Sequence, residues 1–283
     1  MNKRISSLVT VILLSINFIY AQNNVLDGAY IHENAPTLKV VGMPYLREAD
    51  VMWSKKVWRY IDLSEKLNLP LKYPLANETR DRKSLISTLM DGVKEGTITP
   101  YNTIDDEFTQ RMTIEEIGKQ LGAGTDTQQV VSSDPPYLSH DTVVVKPVNP
   151  DKVIGYRIKE EWFFDKQRSV IEVRIIGLAP VMFDEDEFGN VREGGQKKAV
   201  CWFYFPEARN LLVNSETFNR ENDAERRTYD DIFMKRMFSS TIIKESNVFN
   251  RYISTYRTGL DALLESEKIK SEIVNLEHDL WEY

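Results

Sequence analysis

The sequence predicts an α+β protein: a helical N-terminal region, a central antiparallel β-sheet and C-terminal helices packing on it. Three observations predict this class. Apolar residues recur at helical spacing between Asp50 and Gly122, and again after Thr228. A tight polar tetrad, Asp165-Lys166-Gln167-Arg168, separates Trp162-Phe163-Phe164 from the alternating run Val170 to Ile176, the pattern of a β-hairpin. Between the helical and strand regions, residues 123–150 are rich in Gly, Ser, Thr, Gln and Pro, the composition of a linker.

The elements follow in order. Residues 1–21 carry Lys3 and Arg4, then an apolar stretch from Leu8 to Tyr20, then Ala21, the layout of a secretory signal peptide. No Cys follows it, so no lipid anchor is expected. Residues 22–48 form a polar arm punctuated by Pro36 and Pro44, with small apolar patches at Val40-Val41 and Tyr45-Leu46 suited to a neighbour. The region 49–122 is expected to be helical. A first helix, capped by Asp50, puts Trp53, Val57, Trp58 and Ile61 on one stripe. A second starts near Asp81, aligns Ile86, Leu89, Met90 and Val93, and ends by Gly96. A third is announced by the capping box Thr113-Ile114-Glu115-Glu116 and stops at Gly122. A domain boundary is placed in 123–150.

The region 151–283 holds the sheet and the last helices. After the hairpin, Val181-Met182-Phe183 and Val200 to Phe205 flank the polar loop 184–198, and Leu211 to Val213 adds a short strand. From Thr228 the pattern is helical. Ile232, Phe233, Met237 and Phe238 form one stripe, and Ile269, Ile273, Leu276 and Leu280 form a seam for another helix of this chain or of a partner.

Composition narrows the function. The chain has 283 residues, 36 Lys+Arg against 43 Asp+Glu, net charge −7 and a pI near 5.2. Removing the leader with Lys3 and Arg4 makes the net charge −9. That balance opposes nucleic-acid binding, which needs a basic stripe. The single cysteine, Cys201, excludes an intrachain disulfide and a Cys-based zinc finger. It sits in the apolar run Ala199 to Phe205 and is expected to be a buried small hydrophobe.

Candidate chemistry is thin. Asp184-Glu185-Asp186-Glu187-Phe188-Gly189-Asn190 invites a calcium site, but Phe188 falls on a ligand position and the bidentate Glu is missing. A turn between strands explains the same residues. Ser139-His140-Asp141 contains triad residue types, but consecutive residues do not form a relay. Gly122-Ala123-Gly124 follows a helix and lacks the third Gly of a dinucleotide fingerprint. Glu160-Glu161 and Asp165 stand among Lys159, Lys166 and Arg168, as on an ion-laced hairpin surface. The five Trp residues are spread along the chain, as core or interface anchors are. The sequence thus offers no catalytic, cofactor or metal residues.

Several long segments resemble the GldN/PorN family, a periplasmic ring component of the type IX secretion and gliding machinery. They are Asp50-Val51-Met52-Trp53-Ser54-Lys55-Lys56-Val57-Trp58-Arg59 with Ile61-Asp62-Leu63, Trp162 to Ser169, Phe203 to Arg209, and Asp230 to Ser240. The resemblance implies a non-enzymatic structural subunit, without cofactor, that pairs with an outer-membrane lipoprotein of the GldK/PorK type. It also implies contact with the periplasmic region of the GldM/PorM motor subunit and with homo-oligomeric ring neighbours. The expected location is the periplasm, at the inner face of the outer membrane through partners. Candidate partner-facing residues are Tyr45, Trp53 and Trp58, with Ile269, Ile273, Leu276 and Leu280 of the last seam. The alternative is an exported calcium- or ligand-binding module or hydrolase with its site at the 184–187 acidic loop. Asp141-Thr142-Val143 also resembles an O-glycosylation acceptor used in some gliding bacteria.

Overall fold

The computed structural model describes residues 38–75, 82–131, 139–146, 148–186, 190–192, 194–219, 222 and 224–281, with backbone alone at 124–131, 139–146 and 280–281. The leader and the arm as far as residue 37 lie outside the described residues, as does Glu187 of the acidic loop.

The elements are, in chain order, β1 (Val51–Asp62), α1 (Leu69–Lys72), α2 (Leu85–Lys94), β2 (Pro100–Tyr101), α3 (Ile114–Gln120), β3 (Gly124–Val131), β4 (Ser139–Lys146), β5 (Gly155–Asp165), β6 (Val170–Phe183), β7 (Lys197–Ala199), β8 (Trp202–Tyr204), α4 (Phe205–Leu212), β9 (Glu216–Thr217), β10 (Arg227–Thr228), α5 (Tyr229–Met234), β11 (Thr241–Glu245) and α6 (Leu260–Trp281). The main sheet runs β11-β1-β5-β6-β8-β2, with β7 also on β6 and antiparallel pairing throughout. The chain is α+β, as the sequence predicts.

Helices cover one face of the sheet. Directly paired residues share a face, so Arg59, Ile158, Leu178 and Phe203 form one row toward the helices. There Ile61, Tyr156, Ile158, Ile175, Leu178 and Phe203 pack with Leu85 and Leu89 of α2, Ile117 of α3, Phe205 and Leu212 of α4, and Tyr229 and Phe233 of α5. Beside them Val57, Ile242 and Ile253 pack with Ile269 and Ile273 of α6. Each buried Ile contributes about 1.5–3 kcal/mol, so these two fasten α6 to its own chain.

The second and third helical expectations hold. Helix α2 is capped by Ser84, and Gly96 beyond its end takes φ +73°. The Thr113 capping box opens α3, Thr113 Oγ1 accepting from Glu116 N–H and the Glu116 carboxylate from Thr113 N–H, and Gly122 follows at φ +83°. The hairpin also holds: Trp162, Phe163 and Phe164 pair with Val173, Glu172 and Ile171.

Four expectations are corrected. The expected helix from Asp50 is strand β1. Trp53, Val57 and Ile61 are spaced by four, which fits a strand face as well as a helix stripe. Trp58 breaks the tie, because in the strand it points to the opposite face from Val57 and packs in a separate cluster with Trp202. The linker 123–150 contains the hairpin β3–β4, paired only with itself among the described residues. Leu211 and Leu212 end α4 instead of forming a strand, Pro206 being at its first turn. The helical tail contains β11, whose five residues complete the sheet beside β1. The helices of 69–122 and the sheet of 151–283 share one core, so the 123–150 stretch does not separate two cores.

Candidate functional site

The face of the sheet away from the helices is covered by loops, and cations and aromatic rings alternate on it. Its central row is Trp58, Lys159, Gly177 and Tyr204. The Lys159 ammonium is buried 5.6 Å from the Trp58 ring centre and 5.7 Å from that of Phe108. It also donates to the Asp106 carbonyl and lies 3.5 Å from the Asp106 carboxylate. Burial lowers its pKa, and Asp106 offsets part of the shift. Lys244 stands 4.4 Å from the Trp58 ring centre and 5.3 Å from Tyr252, and Arg157 lies 5.6 Å from Tyr252. Gly177 makes the room: a Cβ there would come within 2.6 Å of the Phe108 ring, which holds φ +59° in the covering loop.

A second buried charge lies under the helices. Glu160 is fully buried, 2.9 Å from the Arg236 guanidinium, and accepts a hydrogen bond from the Trp162 indole at 3.0 Å. Arg236 takes φ +53° just after α5 and lies over the rings of Trp162 and Phe238. Arg59 nearby donates to Ser240, and burial lowers its pKa against the pull of Glu160. These groups are tied to rings, carboxylates and backbone, which suits fastening of loops to the sheet rather than acid–base chemistry.

The sequence-derived candidates are dispersed. Tyr45 stands 89% exposed in the arm. Trp53 is half-buried and Trp58 buried, on opposite faces of β1. Ile269 and Ile273 are buried against Val57 and Ile242, and Leu276 is half-buried. The Leu280 side chain lies outside the described residues. In the acidic loop, Glu185 pairs with Lys152 at 2.6 Å, Asp184 with Arg192 at 3.5 Å, and Asp186 accepts from the Asn190 N–H at 2.8 Å. Among the described residues no three His, Cys, Asp or Glu side chains converge as a metal site. Glu160 and Asp165 are paired with Arg236 and Arg168. Burial pushes the Cys201 thiol far above its ordinary range. Ser139-His140-Asp141 and Thr142 occupy consecutive positions of β4.

The cation–aromatic face is legible in sequence only in part. Trp58, Tyr60, Arg157 and Lys159 alternate along β1 and β5, but the rings that meet them, Phe108 and Tyr252, come from distant loops.

Comparison with known families decides the identity. The family described as "Gliding motility associated protein GldN" matches residues 46–282, nearly the whole described chain. The chain belongs to the GldN family. No curated protein matches it closely enough to add a relative. The strings quoted from β1, the β5–β6 hairpin, α4 and α5 all fall inside the GldN match, on the strands and helices that build the sheet and its main core. No helix among the described residues is long and apolar enough to cross a membrane.

Proposed function

We propose that this GldN-family chain is a non-enzymatic structural subunit of a periplasmic ring complex of the type IX secretion system, required for protein export across the outer membrane and for gliding motility. The family match over residues 46–282 carries this reading, since it ties the chain to gliding motility. The engagement of the candidate acids in ion pairs supports a structural role. In this reading the partners are an outer-membrane lipoprotein of the GldK/PorK type, the periplasmic region of the GldM/PorM motor subunit and neighbouring copies. The subunit sits at the inner face of the outer membrane through them. Exposed apolar groups, Val41 and Tyr45 in the arm and Leu260, Leu263 and Leu264 at the start of α6, are surfaces for such contacts.

Co-expression with the lipoprotein should give large rings by electron microscopy. Clean monomers of both proteins under all conditions would overturn the reading. Deleting residues 22–48 tests the arm as a clasp: the complex should fall apart while the circular dichroism of the remainder stays nearly unchanged.

A further inference from the structure

Strand β11 stops before its partner does. It pairs with β1 only over Val57–Tyr60. Ser246 adds one more link, its N–H donating to the Lys56 carbonyl at 2.8 Å and its hydroxyl accepting from the Lys56 N–H at 3.2 Å. The chain then turns away, because the Asn247 side-chain oxygen accepts from the N–H groups of Phe249 at 3.1 Å and Asn250 at 2.9 Å. β1 continues toward Val51 with β5 on one side and no described strand on the other. The backbone groups of Lys56 face the β11 side, so the two-residue period turns those of Ser54 to the same side. Among the described residues nothing bonds them there.

Met52 and Lys56 flank Ser54 along β1, and Val248, Phe249 and Arg251 belong to the turn that follows Ser246. Met52 is 60% exposed, Val248 98% and Phe249 70%. Lys56 and Arg251 are exposed, and neither makes an ion pair among the described residues. The Arg251 guanidinium is steadied over the Phe249 and Tyr256 rings, 4.7 and 4.4 Å from their centres. We propose that the edge at Ser54 accepts one extended, acidic segment of a partner protein. That segment adds a strand beside Ser54, lays apolar side chains on Met52, Val248 and Phe249, and sets carboxylates against Lys56 and Arg251. The cations argue against a second copy of this edge as occupant, because self-pairing would bring like charges together, and the bulge between Val51 and Trp53 further limits it. The inference rests on the assembly reading and names the chemistry of one of its contacts.

The test uses the full chain and a labelled, end-blocked peptide of about nine residues, a usual strand length, alternating Val and Glu, with a Val/Lys counterpart. In fluorescence anisotropy the Glu peptide should bind at least about tenfold tighter than the Lys peptide. Lys56→Glu with Arg251→Glu should invert that preference. Ser54→Pro removes the outward N–H while restricting φ at an edge position that tolerates proline, so binding should be lost while the chain keeps a cooperative melt. Should Ser54→Pro fail to fold, the charge-reversed variant still decides. Equal binding of both peptides, binding of neither, or a preference unchanged by charge reversal overturns the proposal. So does a dimer of the chain itself that Ser54→Pro abolishes. Rings that assemble normally with both Ser54→Pro and the charge-reversed variant sink the proposal and leave the assembly reading standing; absence of rings from the native protein sinks that reading.

Discussion

Arg209 of α4 and Asp230 of α5 meet in a two-pronged contact, 2.9 and 3.1 Å, with both side chains nearly out of solvent. Neither charge has water to return to if the other is removed. Asp230→Ala should therefore cost about 3–5 kcal/mol in chemical denaturation; a loss below about 1 kcal/mol, the scale of a surface pair, would refute the argument. Two carboxyls bonded to nearby cations, Asp165 and Asp231, set the acid limit. Asp165 is held below the usual carboxylate range, chiefly by the hydrogen bond from Arg168, with burial acting the other way. In Asp231 burial raises the pKa, but bonds from Lys235 and Thr228 outweigh it and the net shift is downward. A carboxyl with a depressed folded pKa binds fewer protons folded than unfolded. Its contribution is complete above the unfolded value near 4 and is lost as pH falls through the folded value. Melting temperature should thus take no slope from these groups between about pH 5 and 7 and should fall below about pH 4. Asp165→Asn should make that fall shallower; an identical acid limb in the variant would count against it. Both members of each local pair, Asp165 with Arg168 and Asp231 with Lys235, are close enough in sequence to be read from spacing. Arg209 and Asp230 are 21 residues apart, and only the packing of α4 on α5 joins them.

At the scale of elements, β1 depends on a close approach. Gly155 of β5 faces Asp62 at the end of β1, and a Cβ there would lie 2.5 Å from the Ile61 carbonyl oxygen and from the Tyr60 ring. Backbone cannot yield as a flexible side chain does. Gly155→Ala should cost about 1–3 kcal/mol and lower the melting temperature; an unchanged melt would show that the strands part without cost. The same strand explains why its segment reads as a helix in sequence. A spacing of four belongs to both the strand and the helix period, so Trp53, Val57 and Ile61 do not choose between them. The choice came from neighbours on both sides: Trp58 finds Ala179 and Trp202 on one face, while Val57 finds Ile242 and Ile269 on the other. In contrast, α2 carried the stripe of Ile86, Leu89, Met90 and Val93 and α3 a Thr113 capping box, and both were legible, although α2 starts behind a Ser84 cap rather than near Asp81.

The whole molecule is tied together by β1, which lies between β5 and β11 although both come more than 90 residues later. A fragment of residues 151–283 lacks the strand that joins β11 to the rest of the sheet, and it also lacks α2 and α3 of the shared core. It should show little amide dispersion by nuclear magnetic resonance and no cooperative melt, whereas the described chain should melt as one unit. A folded fragment would restore the boundary that the composition of 123–150 predicts. By itself the sequence determined the α+β class, helices α2 and α3, the β5–β6 hairpin and, through long strings in their expected order, membership of the GldN family. Those features rest on local periodicity, on caps a few residues long and on identity of segments, all of which one chain carries without reference to distant contacts. Only the tertiary structure decided that residues 51–62 form a strand, that β11 completes the sheet, that the regions flanking 123–150 share one core, and that α6 docks on its own chain. Each of these depends on burial against residues far away in sequence, and burial is a property of the assembled sheet rather than of the segment.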